Sequence, residues 1–235
     1  MNVDAKYLSL EAIFKLMNTD KFDHNYHIPY EKFMIDKRNE NIKLLEIGTR
    51  AGLGIVSFIN YFYNSENSNF YCMDLYEKHL HGLRHMGINC YECDQGSREE
   101  LSKAMEYFDN TNFDFIVDDG SHKSKDQQVS LGFLFKHLKP GGIYFIEDLF
   151  HLLAEDGNNY CKEALRTDEL IRYYEEKNKI LKSKDGKFTK FTDEEIDYLE
   201  KNIDKCIIFN LDSKDDITSG GGPGPRPIAI ITKKR

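Results

Sequence analysis

Short apolar segments alternate with longer amphipathic stretches along the chain from residue 43 onwards. The apolar segments predict five strands, at residues 43–47, 69–73, 87–93, 113–117 and 143–146. Helical spacing of apolar side chains predicts helices at residues 55–63, 99–108 and 127–138. Strands that alternate with helices indicate an α/β fold, in which a mostly parallel sheet carries helices on both faces. The carboxyl ends of parallel strands share one edge, so we expect the ligand-binding residues there.

The two ends of the chain differ from this alternating core. The first 40 residues predict one or two helices and contain an aromatic, histidine-bearing stretch, DHNYHIPYEKF. Residues 155–204 are strongly charged and predict two helices interrupted near residues 183–190. Two apolar segments at 206–211 and 228–232, joined by a Gly/Pro-rich loop, predict a closing antiparallel pair. We expect one domain with four parts: an N-terminal helical cover (1–40), a ligand-binding core (41–150), a helical lid (151–204) and a closing strand pair (205–235).

The charge, hydropathy and cysteine content of the chain argue against several classes of binding partner. The 235 residues carry a net charge of -8 with dispersed Lys and Arg, which argues against a nucleic-acid partner bound through its phosphates. No apolar run approaches the roughly 18 residues that cross a bilayer, and the N-terminus lacks a signal peptide's apolar segment. We therefore expect a cytoplasmic protein with no membrane partner. Five scattered cysteines indicate reduced thiols, and the lone C-x-x-C at Cys90 and Cys93 disfavours zinc.

A glycine-rich turn, LLEIGTRAGLG, links the first strand to its helix. Gly48, Gly52 and Gly54 would let the backbone approach a ligand closely, and a helix N-terminus favours negative groups. Arg50 occupies the position of the second glycine in G-x-G-x-x-G, so the dinucleotide fingerprint is absent. The alternative interpretation of this turn is a plain strand-to-helix connection.

Acidic and amide side chains follow the next strand ends. Glu46 lies at the tip of the first strand, and Asp74 ends the second, where a carboxylate can accept both hydroxyls of a ribose. Asp94 and Gln95 end the third strand and could recognise an adenine edge. These residues favour a nucleoside without a pyrophosphate over NAD.

The glycine turn, Asp74, Asp94 and Gln95 resemble the S-adenosylmethionine site of class I methyltransferases over residues 43–148. The resemblance implies a Rossmann-like, seven-stranded, mostly parallel sheet completed by the closing strand pair. The stretch DHNYHIPYEKF resembles the segment that covers the cofactor. The resemblance also implies a set of cofactor-binding residues: Glu46, Gly48, Thr49, Gly52, Gly54, Asp74, Asp94, Gln95 and Asp118.

Two further motifs, DDGSH at residues 118–122 and ED at 147–148, resemble the metal-dependent sugar O-methyltransferases of mycinose-pathway type. Carboxylates at two strand ends, with no Lys or Arg expected beside them, would repel one another unless a cation joined them. Oxygen ligands favour Mg²⁺, with Mn²⁺ as an alternative. The resemblance assigns Asp119, Glu147 and Asp148 as ligands, whereas Asp118 faces the cofactor or stabilises the turn.

A sugar hydroxyl is a poor nucleophile because its pKa lies far above 7, and a bound cation can lower that pKa. We expect His122, three residues after Asp119, to be the catalytic base. The other histidines of interest, His79, His81 and His85, are expected to form a solvated loop.

The acceptor is expected to be a hydroxyl of a nucleotide-activated sugar, such as a GDP-heptose, for a bacterial surface glycan or capsule. A glycosylated natural product comes next. Cations would meet a diphosphate and tyrosines would stack on a base or sugar, and the expected substrate contacts are His151, Arg166, Arg172, Tyr173 and Arg226. A catechol-type O-methyltransferase, a cephalosporin hydroxylase-like enzyme and a non-catalytic S-adenosylmethionine-binding protein stay open as alternatives, as does a homo-oligomer such as a dimer.

Overall fold

The computed structural model describes residues 8–62, 69–149, 164–212 and 225–235. The strands in these ranges are β1 (Lys43–Ile47), β2 (Asn69–Asp74), β3 (Asn89–Glu92), β4 (Phe113–Asp118), β5 (Leu138–Ile146), β6 (Ser183–Lys184), β7 (Lys187–Phe188), β8 (Ile203–Asp212) and β9 (Pro225–Lys233). The α-helices are α1 (Leu10–Met17), α2 (Asp20–Asp23), α3 (His27–Met34), α4 (Leu53–Tyr61), α5 (Glu77–His85), α6 (Arg98–Tyr107), α7 (Ser124–Leu134), α8 (Thr167–Lys177) and α9 (Asp193–Asn202). Short 3-10 helices follow α3 and α7, at Ile35–Lys37 and Phe135–His137.

Seven of the strands form one sheet in the order β3-β2-β1-β4-β5-β9-β8. β1 to β5 are parallel, β9 runs antiparallel to β5, and β8 runs antiparallel to β9. The predicted seven-stranded, mostly parallel sheet is therefore confirmed. The chain order reverses between β1 and β4, and open α/β sheets bind ligands in the crevice beside the carboxyl ends of such a strand pair. The topology thus selects the ends of β1 and β4 as the place to look for a site.

Apolar side chains cover both faces of the sheet. The N-terminal helices pack on one face through fully buried aromatic residues such as Phe14 and Tyr30, together with Phe58 of α4. Side chains of α6 to α9, including Leu170 and Leu199, pack on the other face. Helices α8 and α9 therefore pack on the core. The lid predicted for residues 151–204 stays a prediction, and residues 151–163 lie outside the described residues. None of the helices described is long and apolar enough to cross a bilayer.

Two local predictions were wrong. His79, His81 and His85 lie on helix α5 rather than in a loop, because Leu80 and Leu83 of the same stretch are buried against the sheet. Strand β5 begins at Leu138 rather than at residue 143, because Leu138 already pairs with Phe113 before an irregularity in the register. The first 40 residues carry three α-helices, α1 to α3, where one or two were predicted. The other predicted elements are confirmed with shifts of a few residues at their ends.

Candidate active site

A cavity of about 1070 Å³ opens at the carboxyl edge of the sheet, beside the ends of β1, β4 and β5. Its wall combines the glycine turn after β1, residues of α2 and α5, the loops after β4 and β5, and Arg226 of β9. Segments far apart in the sequence therefore meet at the place that the topology selects.

Two glycines of the turn after β1 allow neighbouring segments of the chain to pack closely against this turn. Gly48 has a left-handed φ of +82°, and a Cβ atom there would overlap the carbonyl oxygen of Asp119. A Cβ atom on Gly54 would overlap the carboxylate of Glu46 and approach Lys21 Cε to 2.7 Å. Both glycines line the cavity together with Glu46 and Thr49. Gly52 instead caps the N-terminus of α4, so the structure does not bring it into the lining.

Asp74 joins the glycine turn to helix α5. Its buried carboxylate accepts hydrogen bonds from the backbone N–H groups of Arg50 and Tyr76, each at 3.0 Å. It also lies 2.8 Å from Nδ1 of His79. Arg50 and His79 both line the cavity, so Asp74 stands directly behind its wall. Its role towards a ribose stays a prediction.

Asp94 and Gln95 point to different places. Asp94 is exposed and lines a second cleft of about 730 Å³, together with the half-exposed Leu75. Gln95 is buried, and its amide donates to Asp118 Oδ1 at 2.9 Å and accepts from the N–H of Ser121 at 2.7 Å. The structure thus places Gln95 inside the protein, where it holds the turn that follows β4.

Asp118 takes part in the same buried network. Its carboxylate also accepts hydrogen bonds from the hydroxyls of Ser130 at 2.5 Å and Tyr144 at 3.3 Å. Burial raises the pKa of Asp118, while the hydrogen bonds from Ser130 and Gln95 act in the opposite direction. Of the two roles expected for Asp118, the structure shows the stabilisation of the turn.

A lysine stands among the acidic residues at the strand ends. The Nζ of Lys21 lies 2.6 Å from Asp119 Oδ2 and 2.7 Å from Glu147 Oε1. It lies 3.7 Å from Glu46 Oε1. Burial lowers the pKa of Lys21, but the three carboxylates outweigh it and hold this pKa well above its usual range. The expectation that no Lys or Arg lies beside these carboxylates was therefore wrong.

Two tyrosines from the N-terminal helices orient the carboxylates of the loop after β5. The hydroxyl of Tyr26 donates to Asp148 Oδ1 at 2.7 Å, and the hydroxyl of Tyr30 donates to Glu147 Oε1. Both rings are fully buried, and burial together with the neighbouring carboxylates raises both tyrosine pKa values well above their usual range. The hydroxyls are therefore permanent donors, and they connect the N-terminal segment to the end of β5.

Asp119, His122 and Asp148 form a cluster that could hold a cation. One ligand atom from each lies within 4.8 Å of the other two, and His122 Nε2 is 3.9 Å from both Asp119 Oδ1 and Asp148 Oδ2. His122 and Asp148 have left-handed backbone conformations, with φ of 58° and 49°. Such conformations are uncommon for residues other than glycine, although Asp and His adopt them more often than most. The two carboxylates are hard oxygen ligands of the kind a divalent ion such as Mg²⁺ favours, and the imidazole of His122 lies beside them.

The predicted ligands are only partly brought together. Asp119 and Asp148 face the same point, whereas Glu147 contacts Lys21 and Tyr30 and is outside the cluster of ligand atoms. Burial raises the pKa of Asp119 despite the opposing charge of Lys21, and burial with the charge of Asp119 holds the pKa of Glu147 well above its usual range. Burial is the largest cause of both shifts, and the charge of Lys21 opposes it.

The predicted substrate residues are dispersed. Arg226 lines the cavity. Arg166 instead pairs with Asp168 at 2.8 Å, Arg172 lies 3.9 Å from the same carboxylate, and neither they nor Tyr173 belong to the cavity lining that the structure describes. His151 lies outside the described residues.

Several residues at the cavity were missed by the sequence analysis. Tyr26 and Tyr30 lie in the aromatic stretch that had been noted only as a cover, so a signal for them was present. Arg50 lies in the glycine turn, where it had been considered only as evidence against a dinucleotide fingerprint. Lys21 and Lys78 have no such signal, because isolated basic residues in amphipathic stretches normally face solvent.

Comparison with known proteins finds methyltransferases. A family profile described as "Methyltransferase domain" matches residues 45–149. Mycinamicin VI 2''-O-methyltransferase of Micromonospora griseorubida is 31% identical over 136 residues, which are 55% of this chain and 32% of the relative. Demethylmacrocin O-methyltransferase of Streptomyces fradiae is 32% identical over 128 residues, which are 52% of this chain and 31% of the relative. The match thus spans about a third of the length of each of these curated relatives.

Solved structures share the fold. The MycE methyltransferase from the mycinamycin biosynthetic pathway, in complex with Mg, SAH and mycinamycin VI, aligns with a TM-score of 0.70 at 20% identity and covers 98% of this chain and 56% of that chain. The O-methyltransferase from Bacillus cereus in complex with SAH aligns with a TM-score of 0.53 at 12% identity, over 99% of this chain and 94% of that chain. These findings confirm the resemblance to class I methyltransferases and, within them, to sugar O-methyltransferases.

Proposed function

We propose that this chain is an S-adenosylmethionine-dependent O-methyltransferase that acts on a sugar hydroxyl. The observation that carries the proposal is one cavity with two chemically different walls. The glycine turn with Glu46, backed by Asp74, forms one wall, and Asp119, His122 and Asp148 form the other. A methyl donor on the first wall would face an activated hydroxyl on the second.

The first wall suits the nucleoside part of the cofactor. S-adenosylmethionine supplies a methyl group on a sulfonium centre when it is bound. Gly48 and Thr49 line the cavity with backbone and a small side chain, so a ligand can come close to the turn. Asp74 would accept the ribose hydroxyls. The adenine would extend beyond this wall into the second cleft, where Asp94 and the half-exposed Leu75 offer a carboxylate and an apolar surface.

The second wall suits activation of a hydroxyl. Asp119 Oδ1 and Asp148 Oδ2 would hold a divalent cation, whereas Glu147, the third ligand that the resemblance implies, contacts Lys21 and Tyr30. A bound Mg²⁺ or Mn²⁺ ion would lower the pKa of an acceptor hydroxyl. His122, which lies between these two carboxylates, is the base that would accept the proton.

The acceptor is proposed to be a nucleotide-activated sugar of a bacterial surface glycan such as a capsule. Arg50, Lys78 and Arg226 bring positive charge to the cavity wall, although the chain as a whole carries a net charge of -8. Cations at these positions can bind a diphosphate. A glycosylated natural product is the second candidate, because curated relatives are named for methylation of such compounds.

The test is a methylation assay with labelled S-adenosylmethionine against nucleotide sugars, free sugars, glycosylated macrolides and catechols. We expect turnover with a nucleotide sugar, its loss in excess EDTA, and its recovery on addition of Mg²⁺ or Mn²⁺. Calorimetry should show that S-adenosylmethionine binds with and without EDTA, and that NAD does not bind. Full activity in EDTA would contradict the proposed metal dependence, and a preference for catechol would contradict the proposed sugar acceptor.

A further inference from the structure

The ammonium of Lys21 occupies the point between two carboxylates from different strand ends. Asp119 follows β4, Glu147 follows β5, and Nζ of Lys21 is within 2.7 Å of an oxygen of each. The lysine side chain is only 2% exposed, whereas that of Asp119 is 21% exposed, so water screens these contacts only in part. A buried ammonium is stable only when it is paired in this way.

A divalent ion that bridged the same two carboxylates would need this position. Mg²⁺ binds oxygen ligands at about 2.1 Å, which is too close to share the space with an ammonium group. While Lys21 stays in place, Asp119 Oδ2 and Glu147 Oε1 are occupied by its hydrogen bonds. The oxygens that face His122 on the other side are Asp119 Oδ1 and Asp148 Oδ2.

Packing keeps Lys21 at this position. Its Cε atom fills the space above Gly54, where a Cβ atom would come within 2.7 Å. Its backbone is held at both ends, because its N–H donates to the Thr19 hydroxyl at 3.4 Å and its carbonyl accepts from the N–H of Tyr26 at 3.0 Å. The hydroxyl of Tyr30 holds Glu147 from a second direction.

We propose that Lys21 is a positioning residue that withholds Glu147 from the divalent cation and confines this ion to Asp119 and Asp148. The inference rests on the metal-binding part of the proposed function. Two protein carboxylates, rather than three, leave more coordination positions for water and for the acceptor hydroxyl. Mg²⁺ sites that serve substrates are commonly built with one or two carboxylates.

The experiment measures Mn²⁺ affinity by electron paramagnetic resonance in wild type and in single and double variants. Glu147→Gln alone should change the dissociation constant by less than about twofold, because Glu147 is not a ligand while Lys21 is present. Lys21→Met should tighten Mn²⁺ binding by about tenfold or more, because it releases Glu147 towards the ion. A purely structural role for Lys21 would not produce tighter binding.

Two controls separate ligation from a change of charge. In the Lys21→Met background, Glu147→Gln should abolish the gain, whereas Glu46→Gln, which removes the same charge nearby, should retain most of it. Lys37→Met removes a lysine that pairs with Asp114 at the opposite end of β4 and should leave Mn²⁺ affinity unchanged.

The outcomes distinguish the inference from the proposed function. Equal affinity in wild type and Lys21→Met, or a large loss from Glu147→Gln in wild type, would overturn the role of Lys21 and leave a metal-dependent enzyme standing. No Mn²⁺ binding in any variant would overturn both. If Lys21→Met does not fold, two single variants of the otherwise wild-type protein still test the inference. Asp148→Asn should weaken Mn²⁺ binding, whereas Glu147→Gln should not.

Discussion

His122 lies on the turn after β4, with Nε2 3.9 Å from the carboxylates of Asp119 and Asp148. We predict that His122→Ala lowers kcat by about 10² to 10⁴, the usual contribution of a general base, with little change in S-adenosylmethionine affinity. Single-turnover kinetics and calorimetry would measure the two effects separately. His85→Ala, an exposed histidine at the end of α5, should keep the wild-type kcat. A near-normal kcat for His122→Ala would show that another group accepts the proton of the acceptor hydroxyl.

Glu46 connects the site to the pH dependence of stability. Burial, only partly opposed by the charge of Lys21, raises the pKa of Glu46 from 4.5 to about 7. The folded state therefore holds a proton that the unfolded state releases between these pH values. The free energy of unfolding, taken relative to Glu46→Gln, should fall by about 3 kcal/mol as pH rises from 4.5 to 7, and then level off. Urea unfolding of both proteins across this range would measure it, and a constant difference would contradict the prediction.

Helix α7 anchors the elements that follow β5. Gln128 is fully buried, its amide donates to the carbonyl of Leu165 at 2.6 Å, and it accepts from the N–H of Lys190 at 2.8 Å. Gln128→Leu would leave both backbone groups without a partner, at a cost of about 1 to 3 kcal/mol. Amides of α8 and α9 should then exchange hydrogen faster, while those of β1 stay protected. Thr189→Val, which removes two long hydrogen bonds, one of 3.3 Å to Gln128 and one of 3.4 Å from the N–H of Phe191, should have a smaller effect. If the amides of α8 and α9 exchange at the wild-type rate in Gln128→Leu, apolar packing rather than Gln128 anchors these helices.

At the scale of the whole molecule, side chains of both charges line one cavity: four are basic (Lys21, Arg50, Lys78 and Arg226) and five are acidic (Asp20, Asp23, Glu46, Asp119 and Asp148). Arg226 reaches it from β9, at the other end of the chain from Lys21. We predict that Arg226→Ala raises KM for a nucleotide-linked sugar by about tenfold or more, the equivalent of one charge-assisted hydrogen bond, and changes KM for the free sugar little. Lys205→Ala on β8, outside the cavity lining, is the matched control. Equal changes in both KM values would show that Arg226 does not recognise the nucleotide.

The sequence by itself determined the order of strands and helices and the edge at which the site forms. Buried strands are local apolar segments, and side chains that follow parallel strands must share one edge of the sheet. The motifs DDGSH and ED could therefore be placed together before any contact was known. Their polar residues Asp119, His122 and Asp148 do meet at the cavity.

Only the tertiary structure decided which of these side chains face the cavity and which face each other. Asp118 and Gln95 turn inward to a buried network because their hydrogen-bond partners there come from α7 and from the turn after β4. Lys21 joins Asp119 across 98 residues of sequence. Local periodicity records whether a side chain is apolar, but it carries no information on distant partners, and a lone lysine is expected at the surface. Burial of its charge becomes favourable only after folding brings three carboxylates around it.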